Sequence, residues 1–153
     1  MTSAADEPKS PAGGWDEVWL KTSRRFSASF SVSVERLSPA ALAYLGDAVY
    51  ELYMRTFYLV PPCRIQTFHR YVVAQVRAEA QAQQLQSLEK HLTEPEKEIL
   101  RRGRNAAPRR KSRAAPEVYQ QATSFETLLG YLYLTDRHRL EAVLALLDLP
   151  PSE

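Results

Sequence analysis

Three carboxylates and two glycines carry the chemical interest of this sequence. The run Leu45-Gly46-Asp47-Ala48-Val49-Tyr50-Glu51 has helical periodicity, and a glycine inside a helix costs about 1 kcal/mol relative to alanine, so it usually marks a close approach of another backbone. Asp47 follows that glycine at once, and Glu51 lies one turn further on the same face. Ala43 and Ala48 leave room for a second helix or a partner to come near. A second run, Ser124-Phe125-Glu126-Thr127-Leu128-Leu129-Gly130-Tyr131-Leu132, repeats the theme. Glu126 stands inside an apolar stretch, with Gly130 one turn later. A carboxylate flanked by Phe125, Leu128 and Leu129 is either at an exposed edge or held by a partner. If the two helices cross at their glycines, Asp47 and Glu126 converge with no base nearby. Such a pair repels itself and invites a hard divalent cation, with Mg²⁺ keeping several waters for substrate oxygens.

A third segment suits the substrate of such an ion. From Arg101 to Arg113 the chain reads RRGRNAAPRRKSR, with Arg101, Arg102, Arg104, Arg109, Arg110, Lys111 and Arg113 and no acidic residue. The formal net charge of +2 conceals this segregation. Alone, the segment reads as a solvated loop. Beside converging acids that lack a histidine ligand, it points to phosphate contact and metal-assisted phosphodiester cleavage.

The elements that must position these residues are helices. A chain of 153 residues, 44% of them apolar, fits one domain and excludes wholesale disorder. Five glycines, little period-2 alternation and long Ala/Leu/Gln/Glu/Arg-rich stretches favour an all-α fold. Cys63 is the sole cysteine and three histidines lie far apart, so neither an intramolecular disulfide nor a Cys/His zinc site is expected. No apolar run approaches the ~20 residues of a membrane span. The N-terminus carries Asp6, Glu7, Asp16 and Glu17 without an apolar signal core, so a reducing cytoplasm is the expected compartment.

Residues 1–35 read as an N-terminal extension and 36–150 as the folded domain. Ser38-Pro39 reads as N-cap and first helical residue of a helix reaching about Tyr58. A second helical stretch is expected over 65–91. Thr93 and Glu96 form a capping-box pattern for a third, with Gly103 expected just past its end. A basic loop then runs to about Pro116. A helix over 117–134 and a last one capped by Asp136 complete about five.

These motifs resemble the ribonuclease III family. Leu45-Gly46-Asp47-Ala48-Val49 is similar to its signature helix, and the run from Phe125 to Leu134 to its second acidic motif. Ala41 to Ala48, Arg102-Gly103-Arg104-Asn105-Ala106 and Thr123-Ser124-Phe125-Glu126 together resemble the mini-ribonuclease III branch, which has the nuclease domain without a double-stranded-RNA-binding domain. The likeness covers about residues 38–148. Larger members carry acids where this chain has Ala43 and Thr123, and the mini branch shares both losses. Tyr119-Gln120-Gln121 has glutamines where the branch often shows an arginine.

The resemblance implies a homodimeric helical nuclease domain. Asp47 and Glu126 would be catalytic and hold Mg²⁺, with extra water ligands in place of the missing acids. Glu51 would either assist from beyond the ligands or serve the structure. Arg101, Arg102, Arg104, Asn105, Arg109, Arg110, Lys111 and Arg113 would contact double-stranded RNA. Tyr44, Tyr50, Tyr131 and Tyr133 are assigned to core and dimer interface rather than to base stacking. The resemblance further implies products with 5′-phosphate ends and maturation of the ends of a 23S ribosomal RNA precursor, with a ribosomal protein as a helper. Two rivals remain at this point: a non-catalytic RNA-binding module with the same fold, and a helical adaptor whose basic loop meets an acidic protein.

Overall fold

The computed structural model describes residues 33–107 and 114–151. Most of the expected extension, together with Arg109, Arg110, Lys111 and Arg113, lies outside the described residues. A 3-10 turn over Val34–Arg36 precedes six α-helices: α1 (Pro39–Phe57), α2 (Ile65–Val76), α3 (Ala78–Leu88), α4 (Glu94–Ala106), α5 (Pro116–Thr135) and α6 (Arg137–Leu144). No strand occurs among the described residues, and no helix among them is long and apolar enough to cross a membrane.

Local chemistry starts the helices where the sequence indicates. The Ser38 hydroxyl accepts from the Ala41 amide at 3.1 Å, with Pro39 in the first turn of α1. Thr93 and Glu96 form the reciprocal capping box of α4. The Asp136 carboxylate accepts from the Arg139 amide at 2.9 Å and opens α6.

Helix α5 is the central element. Residues Ala122 to Gly130 are buried except for the half-buried Glu126, because α1, α3 and α4 all pack around it. A helix apolar on every side belongs in a core. Phe125, Leu128 and Leu129 are fully buried there with Tyr50, Leu85 and Leu88. Burying each such side chain contributes roughly 1.5–3 kcal/mol.

Two sequence expectations need correction. The stretch over 65–91 is not one helix: Arg77 adopts an extended conformation (φ −71°, ψ 154°) and serves as C-cap of α2 and N-cap of α3. Gly103 does not end its helix. It lies inside α4, where a Cβ would come within 2.8 Å of Thr127 Cβ and 2.9 Å of Ser124 Cα, so Arg104 and Asn105 are helical rather than part of a loop. The expected crossing at the glycines is present: the room beside Gly46 is taken by α5 of the same chain. Tyr44, assigned to core or interface, is 84% exposed within the chain, whereas Tyr50 is wholly buried.

Candidate active site

The site forms where α1 crosses α5. A Cβ on Gly46 would fall within the carbonyl group of Glu126, 2.6 Å from its carbon and 2.8 Å from the Gly130 nitrogen. A Cβ on Gly130 would lie 2.8 Å from the Leu42 carbonyl carbon and 3.1 Å from the Gly46 nitrogen. The two backbones therefore touch, and only glycine permits it. Phe125, next to Glu126, meets the Tyr50 ring edge-on at 5.3 Å between centroids, which fixes the rotation of α5 against α1.

Asp47 and Glu126 are brought together at this crossing. Burial pushes the Glu126 carboxyl up to about 7, the Asp47 charge pushes it the same way, and a hydrogen bond from the Gln81 side chain pulls it back. Partial burial and then the Glu51 carboxylate raise Asp47 above the usual aspartate range. Neither Asp47 nor Glu126 has a cationic partner among the described residues. Two neighbouring acids, with Glu126 held back from ionising in part by the Asp47 charge, on a surface open at Asp47, fit a divalent cation, whose charge would remove the repulsion. Among the described residues no group of three or more His, Cys, Asp or Glu is arranged to hold a metal. An ion here would thus be held by these two carboxylates, with oxygens of water or substrate completing its shell.

Glu51 is engaged by Arg55, whose Nε donates to its Oε1 at 3.1 Å, so its influence on Asp47 is electrostatic. Ala43 and Thr123, the positions where larger relatives of the resembled family carry acids, are both buried. The Thr123 carbonyl accepts from Thr127 Oγ1 at 2.7 Å, so this part of α5 serves packing. Arg101 is exposed and doubly hydrogen-bonded to Glu98, at 2.8 and 2.6 Å. Arg104 and Asn105 are exposed and Arg102 is half-buried. Lys97, Leu100, Arg101 and Arg104 of α4 line one shallow groove together with Glu89.

Sequence reasoning missed Gln81. It is 1% exposed and adjoins Glu126. Its spacing of four and seven residues from Leu85 and Leu88 puts a polar side chain on the apolar face of α3, and that was the available signal.

Residues 40–137 match the family model described as the Ribonuclease III domain. A Mini-ribonuclease 3 from Synechocystis is 64% identical over 120 residues, covering 78% of this chain and 84% of that relative. The chain belongs to the mini-ribonuclease III branch of the ribonuclease III family. A Mini-ribonuclease 3 from Synechococcus is 52% identical over 134 residues, covering 88% of this chain and 94% of its own length. A crystal structure of a Fusobacterium nucleatum protein superposes with a TM-score of 0.69 at 30% identity, covering 76% of this chain and 96% of that one. The all-α fold of this chain is therefore the ribonuclease III fold, and the two runs that resemble the family's signature and second acidic motifs meet at the glycine crossing.

Proposed function

We propose that the chain is a Mg²⁺-dependent endoribonuclease that cleaves double-stranded RNA as a homodimer, with residues 36–150 as its catalytic domain and 1–35 as an extension. The observation that carries this reading is the convergence of Asp47 and Glu126 over the Gly46–Gly130 crossing. Membership of a ribonuclease family supports it independently.

In this reading Asp47 and Glu126 hold the ion and fix its place relative to the scissile phosphate. A bound Mg²⁺ would activate water for in-line attack on phosphorus and stabilise the leaving oxygen, giving a 5′-phosphate end. Arg102, Arg104, Asn105, Arg109, Arg110, Lys111 and Arg113 bind the duplex along its phosphates, joined by Arg101 when it leaves Glu98. An A-form duplex is recognised by shape, phosphates and 2′-hydroxyls, and such contacts need no base readout. A two-fold pair of sites suits two antiparallel strands. Tyr44, Ala48 and Leu52 leave an exposed stripe at four-residue spacing on α1, which supports a second copy as the cover. The paired ends of a 23S ribosomal RNA precursor, presented with help from a ribosomal protein, are the substrate, and the cytoplasm is the compartment.

Incubation with a long duplex RNA, with and without Mg²⁺, tests the activity. Cleavage only with Mg²⁺, lost in Asp47→Asn and Glu126→Gln while binding persists, is the expected result. Binding without cleavage under every condition would leave the non-catalytic module, for which Ala43 and Thr123 speak. Light scattering tests the dimer: a monomer at micromolar concentration that still cuts both strands together would refute it.

A further inference from the structure

The α2–α3 corner presents a polar group to the candidate site. Because Arg77 is extended, the helical ladder stops at Val76 and leaves its carbonyl without an intrahelical donor. Gln81 Nε2 supplies that donor at 3.0 Å, while the same carboxamide lies against the Glu126 carboxylate. The carboxamide is wholly buried, and Gln81 Oε1 has no partner among the described residues. A buried acceptor left unpaired costs roughly 1–3 kcal/mol. Turning the amide over would place that oxygen against a carbonyl and a carboxylate, which is worse, so the two acceptors fix its orientation.

We propose that Gln81 is a positioning residue for the catalytic carboxylate: its amide spans the Val76 carbonyl and Glu126, and holds Glu126 in the orientation that binds the divalent ion. The proposal rests on the reading above that Glu126 is a metal ligand. A ligating carboxylate whose other contact is a fixed donor loses less freedom on binding metal than a free one, and such outer partners orient the ligands they touch. Capping Val76 uses one proton of that amide, and the other is left for Glu126. Leu85 and Leu88 on the same face of α3 fill the core with hydrocarbon.

Gln84 supplies an internal control. It is also buried on α3, and its carboxamide clasps the backbone of Asp148, donating to the carbonyl at 2.7 Å and accepting from the amide at 3.1 Å. Both glutamines therefore hold backbone, but Gln81 alone also adjoins Glu126.

The test is a Mn²⁺ titration of the full chain followed by electron paramagnetic resonance, in which the free ion's signal reports binding without turnover. Mn²⁺, like Mg²⁺, prefers oxygen ligands. Gln81→Met keeps length and apolar packing, and is expected to weaken Mn²⁺ binding by roughly ten- to a hundredfold, the usual cost of losing an outer partner. Gln81→Asn, one methylene shorter and unable to span both acceptors, is expected to weaken it similarly and keeps the position polar should the Met variant not fold. Gln84→Met is expected to lower thermal stability and leave Mn²⁺ affinity unchanged. Wild-type affinity in a folded Gln81 variant overturns the proposal, as does equal weakening in the Gln84 variant. Persistence of Mn²⁺ binding in Glu126→Gln instead overturns the metal-ligand reading beneath it, so the two failures are distinct.

Discussion

Gly46 and Glu126 are in backbone contact: the position of a Cβ at Gly46 is already taken by the Glu126 carbonyl, with its carbon 2.6 Å away. One glycine therefore sets both how closely the helices pack and where the carboxylate that follows from that backbone stands. Gly46→Ala gains up to about 1 kcal/mol of helix propensity, but it presses a methyl group into a helix backbone that has no flexible end to yield. Overpacking of this kind costs about 1–3 kcal/mol or more, so the variant is expected to be less stable by about 2 kcal/mol and to lose activity. Urea denaturation checks the first and duplex cleavage the second. Unchanged stability would mean that the helices do not touch at Gly46.

Legibility in the sequence followed the range of the interaction. Ser38-Pro39, Thr93 with Glu96, and Asp136 announce helix starts because capping acts within three residues. The pairing of Asp47 with Glu126 was legible because Gly46 adjoins Asp47 and Gly130 lies one turn from Glu126. The break at Arg77 was not, since neither proline nor glycine marks it; Val72 on one side and Leu85 and Leu88 on the other reach the core only if the chain turns there. Gly103 misled because a glycine that ends a helix and one that admits a neighbouring helix look alike. Only Ser124 and Thr127, over twenty residues away, decide between them.

The Glu126 carboxyl predicts an inverted pH dependence for the metal-free protein. Its folded value, about 7, lies above the ordinary value of 4.5, so the fold favours the protonated form. Its contribution to stability is complete below about pH 4.5 and is lost as pH rises through about 7. Glu126→Gln removes that loss. In the presence of chelator its melting temperature should exceed the wild type's above pH 7 and match it in acid. Because a metal binds the deprotonated carboxylate, Mg²⁺ should raise the wild-type melting temperature more above about pH 7 than below about pH 5, and should leave the variant unmoved. Equal melting curves for the two proteins at every pH would show that Glu126 is not held neutral.

Glu96 predicts the opposite sign far from the site. Arg139 donates to its two oxygens, Nε to Oε1 at 2.7 Å and Nη2 to Oε2 at 3.0 Å, tying α6 to the start of α4. These hydrogen bonds and the capping bond to Thr93 hold its carboxyl below the usual glutamate range. A depressed carboxyl stabilises above its unfolded value, and that stability disappears as pH falls through the folded one. Glu96→Gln should cost about 3 kcal/mol at neutral pH, the low end for breaking a buried pair, because water still reaches Arg139. The cost should shrink in acid. Cleavage by the folded fraction should be unaffected, and denaturation at several pH values together with single-turnover cleavage checks both statements.

The last prediction concerns Arg109, Arg110, Lys111 and Arg113. If they lie along phosphates, replacing all four with alanine weakens duplex binding for every sequence tested. Each lost phosphate contact means fewer counterions released on binding, so the slope of log affinity against log salt becomes shallower by up to roughly one per contact. Such contacts position the duplex and do not read bases, so cleavage-site choice should change less than affinity. Turnover at saturating RNA should largely survive, because Asp47 and Glu126 are untouched. A segment that merely stays solvated would leave affinity and slope as they were. Binding measured in the Asp47→Asn background, with and without the four alanines over a range of salt, separates the two cases. An identical slope in both proteins would remove these four residues from the RNA interface. It would leave Arg102, Arg104 and Asn105 at the end of α4 as the phosphate contacts, and the groove beside Arg104 as the next surface to test in the same way.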